Sequence, residues 1–375
     1  MKSTSTVPFI LLLTLCTSCM VWAQQPLRPM LDIRSAAHPA VTVEPEAYRF
    51  GLPANIGEDA GQRFAGFGQA DARWVAPVKD SDPLQGITVL DLIGMLRHIQ
   101  NMEPFAEAWQ WVAADIDRDN AITHHDVRAL HQLLMDPFSE LTDNQSWRFY
   151  DARHVFPVTF PLEEPIPESV AYTFSAEQTQ GRFWAVKVGD VDGSATQPRA
   201  ESANEAAVSI ALPDRLLQAG EEITLAVQVQ GNTSYVGLQG ALRFEEEALQ
   251  LVSAEPGSLL GMGSDGLFLG SQGKTLRFSW LDVFPQAFTE KTVLLTIRLQ
   301  AKKTICLQEA ILPAPALLPG AAFDENGRAV PLHLAFIELF PDESPEIAKN
   351  PVFPTAPEAV QPPRKSGQAS DPAQW

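Results

Sequence analysis

From Val89 to Met135 apolar residues recur at helical spacing. "VLDLIGMLRHI" sets Leu92, Met95, Leu96 and Ile99 on one face, and "DVRALHQLLM" does the same with Val127, Leu130 and Leu134. From Val208 to about Phe336 the period changes. The runs "VSIAL", "EITLAVQVQ", "YVGLQGALRFE", "LQLVSA", "GLFLG", "TLRFSWLD", "TVLLTIRLQA" and "VPLHLAF" alternate or stay apolar over strand lengths. Turn signals such as "QGNTS" and "SQGK" separate them. Short strands so spaced predict a β-sandwich of the jelly-roll kind. Residues 24–77 show no period and read as an irregular N-terminal segment. Residues 138–204, rich in Pro and aromatics, read as a connector ending in the strand-like "RFWAVKVGDVDGSA". Residues 339–375, rich in Pro, Glu and Ala, read as a disordered tail. The expected fold class is multidomain: a small α module over 78–137, built of paired loop-helix units, and an all-β sandwich over 205–338.

The helical stretch is duplicated. At an offset of 35 residues Asp80 falls on Asp115, Asp82 on Asp117, Ile87 on Ile122, Thr88 on Thr123 and Asp91 on Asp126. Leu92, Met95 and Ile99 fall on Val127, Leu130 and Leu134. Acids, a β-branched residue, a threonine and a helix face in one register mark two copies of one supersecondary unit.

The second copy has the spacing of a calcium cage. Calcium takes six to eight oxygens, which a short loop supplies from side chains at positions 1, 3, 5 and 12 and a carbonyl at 7. Counted from Asp115, those positions are Asp117, Asp119, Ala121 and Asp126. Thr123 stands at position 9, able to hold a water ligand or to cap the following helix. Position 6 needs a left-handed backbone, and Asn120 tolerates it. Carboxylates this close repel one another without a cation, so ion binding and folding are expected to be coupled. The first copy keeps Asp80, Asp82 and Asp91 at positions 1, 3 and 12, with Gly86 at 7, but has Leu84 at 5 and Gln85 at 6. It is expected to bind calcium more weakly, or to keep its shape without metal. Asp190 and Asp192 of "GDVDGSA" are further candidate ligands, or simply the acids of an Asp-Gly turn. No imidazole or thiolate enters either cage, which argues against zinc.

The duplication, the Asp-x-Asp-x-Asp-Asn–Ile–Thr–x-x-Asp loop and the single helix after each loop resemble a dockerin over residues 78–137. The resemblance implies a calcium-ordered module that engages a protein partner. At the usual recognition positions, where a Ser/Thr or Lys/Arg pair is expected, this chain has Val89–Leu90 and His124–His125. The strands "EITLAVQVQGNTSYVGLQGALRFEEEALQLVSAEPGSLL", "GKTLRFSWLD" and "TVLLTIRLQAKK" resemble a cohesin or the related carbohydrate-binding fold over residues 206–337. Together the segments are similar to secreted multidomain proteins of Bacteroidetes-type bacteria.

Composition narrows the partners. The net charge is −19, which excludes a phosphate-backbone ligand as a natural reading, so no nucleic acid is expected. Lys2, the run "VPFILLLTLC" and "VWA" read as a leader cleaved near Ala23, too short for the roughly 20 residues that span a bilayer. A secreted or cell-surface location follows as the expectation, with no transmembrane segment in the mature chain; lipidation at Cys19 is the alternative. Cys16 and Cys19 leave with the leader, so Cys306 stands alone and no intrachain disulfide forms.

No catalytic motif appears: no GxSxG, no HExxH, no phosphate loop and no Cys–His pair in the mature chain. Glu245–Glu247 and Asp282 sit in strand-end contexts rather than as a paired acid and base. The expected function is therefore non-catalytic: a calcium-binding scaffold or adhesion protein that makes protein–protein contacts, at the cell surface or in extracellular polysaccharide-processing assemblies. A polysaccharide-binding sandwich is the alternative. It would need exposed aromatics, for which Trp280 and Tyr235 are the candidates.

Overall fold

The structure is a computed structural model that describes residues 31–51, 73–136, 138–172, 181–197, 208–230, 234–289 and 292–338. The segment read as a leader, with Cys16 and Cys19, and the segment read as a tail over 339–375 lie outside the described residues. No helix among the described residues is long and apolar enough to cross a membrane.

Each acidic loop leads into a helix, α1 (Val89–Ile99) after the first and α3 (His124–Met135) after the second, with a short α2 (Ala108–Ala114) between. The two long helices open identically. The Thr88 and Thr123 hydroxyls accept the N–H of Leu90 and His125, while Asp91 and Asp126 accept the N–H of Thr88 and Thr123, both at 2.8 Å. Such reciprocal capping contributes about 1 kcal/mol per helix start. It also directs one oxygen of each acid to the cap and leaves the other free to bond elsewhere. Leu92, Ile93, Met95, Leu130, Leu133 and Leu134, from the inner faces, are buried in one cluster.

Six strands flank the module along the chain: β1 (Leu31–Ser35), β2 (Ala47–Gly51), β3 (Arg73–Val78), β4 (Trp147–Asp151), β5 (Val170–Tyr172) and β6 (Gly181–Lys187). β1, β6 and β4 form one sheet, with β1 parallel to β6, and β2, β3 and β5 form a second. This corrects the expectation of an irregular N-terminal segment and a connector. The two stretches pair with each other, Leu31 opposite Gly181, and the two sheets share a core of Ile33, Val75, Trp147, Val170 and Phe183, while Tyr150 and Val186 pack toward the module. Short strands whose partners lie so far along the chain leave no local periodicity to read.

The sandwich contains β7 (Val208–Asp214), β8 (Leu216–Leu217), β9 (Glu222–Gln230), β10 (Ser234–Phe244), β11 (Leu249–Pro256), β12 (Leu267–Leu269), β13 (Thr275–Ala287), β14 (Val293–Ala301), β15 (Ile305–Cys306), β16 (Ile311–Pro313), β17 (Ala321–Asp324) and β18 (Ala329–Glu338). Every strand read from the sequence is present; β8, β15, β16 and β17 are short additions. One half runs β11–β14–β9–β7–β18 and the other β18–β17–β10–β13–β12, with β16 beside β10. β18 serves both: Ala329–Pro331 pair with β17, and Leu332–Glu338 run parallel to β7. Val208, Ile210, Val227 and Leu295 from the first half meet Leu238, Leu242, Phe278 and Trp280 from the second in one buried cluster. Each such side chain contributes about 1.5–3 kcal/mol through burial. Cys306 is a half-buried free thiol.

The module and the sandwich are not separate beads. Val89, Ile93, Leu130 and Leu134 share a cluster with Val236, Ala241, Leu318 and Phe323 of the sandwich. At Gly237 of β10 a Cβ would stand 2.8 Å from Cγ2 of Val89, so only glycine lets α1 approach this closely. Polar bonds fix the register. The Gln239 side chain accepts the N–H of Val89 at 2.9 Å, Arg277 donates to the Leu134 carbonyl at 2.8 Å, and Arg97 donates to the Val283 carbonyl at 3.2 Å. Arg277 meets the last turn of α3, where exposed carbonyls favour a cation. Gln239→Ala will orphan the buried N–H of Val89 and lower stability by about 1–3 kcal/mol in a urea titration. An unchanged midpoint would show that the bond is not needed to seat α1.

His131 lies in the same interface, 2.9 Å from the Ser279 hydroxyl. Burial holds its pKa below the ordinary histidine value, against the opposing charge of Asp265. As pH falls, the unfolded chain therefore takes up this proton before the folded one does. Stability from this site is fully present above about pH 6.5 and declines below it. Melting temperatures measured across that range will fall more steeply for the wild type than for His131→Asn; parallel curves would clear His131 of the effect.

Candidate metal centre

In the second loop the structure gathers Asp115, Asp117 and Asp126, with one oxygen from each inside a 4.8 Å cluster. Two neighbouring residues set the path. Arg118 (φ 61°) and Asn120 (φ 67°) take the left-handed conformation, Asn120 being the position read for it. Asp126 closes the loop on itself: its Oδ1 accepts the N–H of Ile116 at 2.8 Å while Oδ2 serves the cap. Asp115 accepts the N–H of Asn120 at 3.3 Å. Asp119 stays out of the cluster and accepts the N–H of Ala121 at 2.8 Å. Thr123 is the helix cap, the second of its two expected roles.

Asp115 and Asp126 are fully buried, whereas Asp117 is exposed. Burial pushes the Asp115 carboxyl up to about 6, partly offset by the nearby Arg148 guanidinium, and pushes Asp126 up as well. Arg148 stands 3.4 Å from Asp115 and is shared with Glu168 at 3.0 Å. Asn144 donates to the carbonyls of Asp115 and Ile116, tying the loop to the chain just before β4. Three carboxylates served by one guanidinium that Glu168 also shares form an electron-rich, oxygen-only site. That donor set suits a hard divalent cation such as calcium and offers nothing to a soft one.

The first loop is built differently. Asp80, Asp82 and Asp91 do not come together. Asp80 accepts the N–H of Ser146 at 2.7 Å, and Asp91 instead clusters with Asp190 and Asp192. The reason lies in the turn-rich loop over 188–195 that follows β6. Oδ1 of Asp91, the counterpart of the Asp126 oxygen that closes the second loop, accepts the N–H of Val191 at 3.0 Å. This later loop thus takes the place of the first loop's own start. It packs so closely that a Cβ on Gly86 (φ 77°) would stand 2.5 Å from the Ala195 backbone. Asp190 accepts the N–H groups of Ser194 and Ala195, and Asp192 accepts that of Ser194.

A cation of the chain already serves this second cluster. Lys187 is 3% exposed and donates to the carbonyls of Pro83 at 2.8 Å and Val188 at 3.0 Å. Burial pushes its pKa down to about 8, and the charges of Asp190, Asp91, Asp80 and Asp82 oppose that fall. It is therefore still ammonium at neutral pH. The structure thus places a lysine beside the degraded loop, and sequence reasoning missed it. The available clue was a lone lysine inside the apolar run "FWAVKVG", since a buried lysine needs partners.

Trp280 and Tyr235 are 2% and 3% exposed. Tyr235 stacks on Phe288, and the Trp280 indole donates to the Leu260 carbonyl. Neither presents a face to a sugar ring.

No family model matches the chain, and no curated protein matches it. Solved structures similar to it include cohesin domains. A type I cohesin–dockerin complex from Clostridium thermocellum has a chain 12% identical over 38% of this chain and 99% of its own, with a TM-score of 0.30. A type II cohesin from the cellulosome of Acetivibrio cellulolyticus is 17% identical over 36% of this chain and 93% of its own, with a TM-score of 0.27. A non-cellulosomal cohesin from Archaeoglobus fulgidus is 13% identical over 37% and 95%, with a TM-score of 0.25.

Proposed function

We propose that this is an exported, non-catalytic, calcium-binding scaffold or adhesion protein that acts through protein–protein contacts. The observation that carries the calcium reading is the convergence of Asp115, Asp117 and Asp126 at ligand positions of a capped loop-helix unit. A dication there relieves the repulsion between two fully buried carboxylates and joins the loop to the start of α3. In this reading Asp115, Asp117 and Asp126 hold the ion, the Ala121 carbonyl completes the set, and Asn144 and Arg148 position the loop.

The recognition positions of the two helices then have different roles. Val89 and Leu90 are engaged within the chain: Val89 against Gly237 and Gln239, and Leu90 near Gly327, whose Cβ would lie 3.2 Å from it. His124 and His125 are exposed. The recognition position left open to a partner is therefore the α3 start.

Limited trypsin digestion tests the reading, because Arg118 is exposed in the middle of the loop. With calcium the Arg118–Asp119 bond is expected to resist cleavage, and with chelator to be cut early. Equal rates in both conditions would remove calcium from the account.

A further inference from the structure

Beside the acidic loop lies a cavity lined by arginines. It measures about 50 Å³ and is bordered by Arg49 of β2, Arg118 of the second loop, Trp147 and Arg148 of β4, and Glu168. That is room for a few water-sized groups. In a chain of net charge −19, three guanidiniums around one small space stand out.

Two of the three are committed. Glu168 accepts from Arg118 at 2.6 Å and from Arg148 at 3.0 Å, and Arg148 also reaches Asp115. Arg49 forms no ion pair among the described residues. The second observation is independent of charge. Trp147 is 2% exposed, and its indole N–H has no acceptor. Buried N–H groups in native proteins are almost always paired, so an orphan beside a polar cavity points to a missing acceptor.

We propose that this cavity binds a small oxyanion. One oxygen would accept from the Trp147 indole and others from the Arg49 and Arg118 guanidiniums, whose planar forks suit sulfate, phosphate or a carboxylate. The shared chemistry could come from free inorganic anion or from the carboxylate of an acidic sugar. The site shares Arg118 with the calcium loop, but neither Arg49 nor Trp147 belongs to that loop, so Arg49→Ala tests the anion without touching the calcium ligands.

The test uses the full chain and the indole ¹⁵N–¹H resonances. Sodium sulfate and sodium glucuronate are titrated separately against sodium chloride of equal ionic strength. One resonance, identified by its absence in Trp147→Phe, is expected to shift saturably with at least one of the two salts. A response to sulfate alone assigns a free tetrahedral anion, and a tighter response to glucuronate assigns a sugar acid. Arg49→Ala, on an exposed strand position, is expected to weaken that binding by about tenfold. No saturable shift with either salt, or equal affinity in Arg49→Ala, would leave only ordered water in the cavity and overturn the proposal.

Discussion

Lys187→Met will destabilise the protein by about 3–5 kcal/mol in chelator, because it removes one partner from a buried group of opposite charges. The lysine's own burial is costly, as its depressed pKa shows. Its removal is costlier. Asp190 and Asp91 stay buried without their cation, and the carbonyls of Pro83 and Val188 lose their donor. The variant should also acquire something. Asp91, Asp190 and Asp192 already bring oxygens within 4.8 Å of one another. Millimolar calcium is therefore expected to restore part of the lost stability in Lys187→Met, beyond its effect on the wild type. Chemical denaturation with and without calcium reads both effects. A variant as stable as the wild type in chelator would mean that the ammonium does not neutralise this cluster.

The second large effect is that of calcium on the wild type. An ion that binds only the folded chain adds about 2.7 kcal/mol at a hundredfold excess over its Kd, or roughly 5–10 °C in melting temperature for a unit of this size. Asp126→Asn separates the ion from the fold. Asparagine keeps an acceptor for only one of the two N–H groups, Ile116 and Thr123, that Asp126 serves, and it removes a charge that burial disfavours. In calcium it should melt well below the wild type; in chelator the gap should narrow, leaving at most the loss of the cap bond. A variant below the wild type by the same margin in both would assign Asp126 a structural role only.

The contrast between the two loops explains what the sequence discloses and what it hides. The capping boxes at Thr88–Asp91 and Thr123–Asp126, and the left-handed Asn120, depend on neighbours within a few residues. They were legible as spacing. So was the convergence of Asp115, Asp117 and Asp126, because a loop-helix unit closes on itself. The first loop is completed from about a hundred residues away, by Lys187 and the loop after it, and the one local sign of that is a lone lysine in an apolar run. The pairing of β1 with β6 was hidden for the same reason. The seating of the helices on the sandwich left one trace: apolar Val89–Leu90 where a polar recognition pair was expected. Those residues are apolar because α1 lies against β10 of the same chain.

The central claim is that one of the two duplicated loops holds calcium while the other is served by lysine. Calorimetric titration of the metal-free chain with calcium tests it most directly. The account predicts one calcium per wild-type chain, none in Asp126→Asn, and a second in Lys187→Met. No binding to the wild type, or binding that survives Asp126→Asn unchanged, would contradict it.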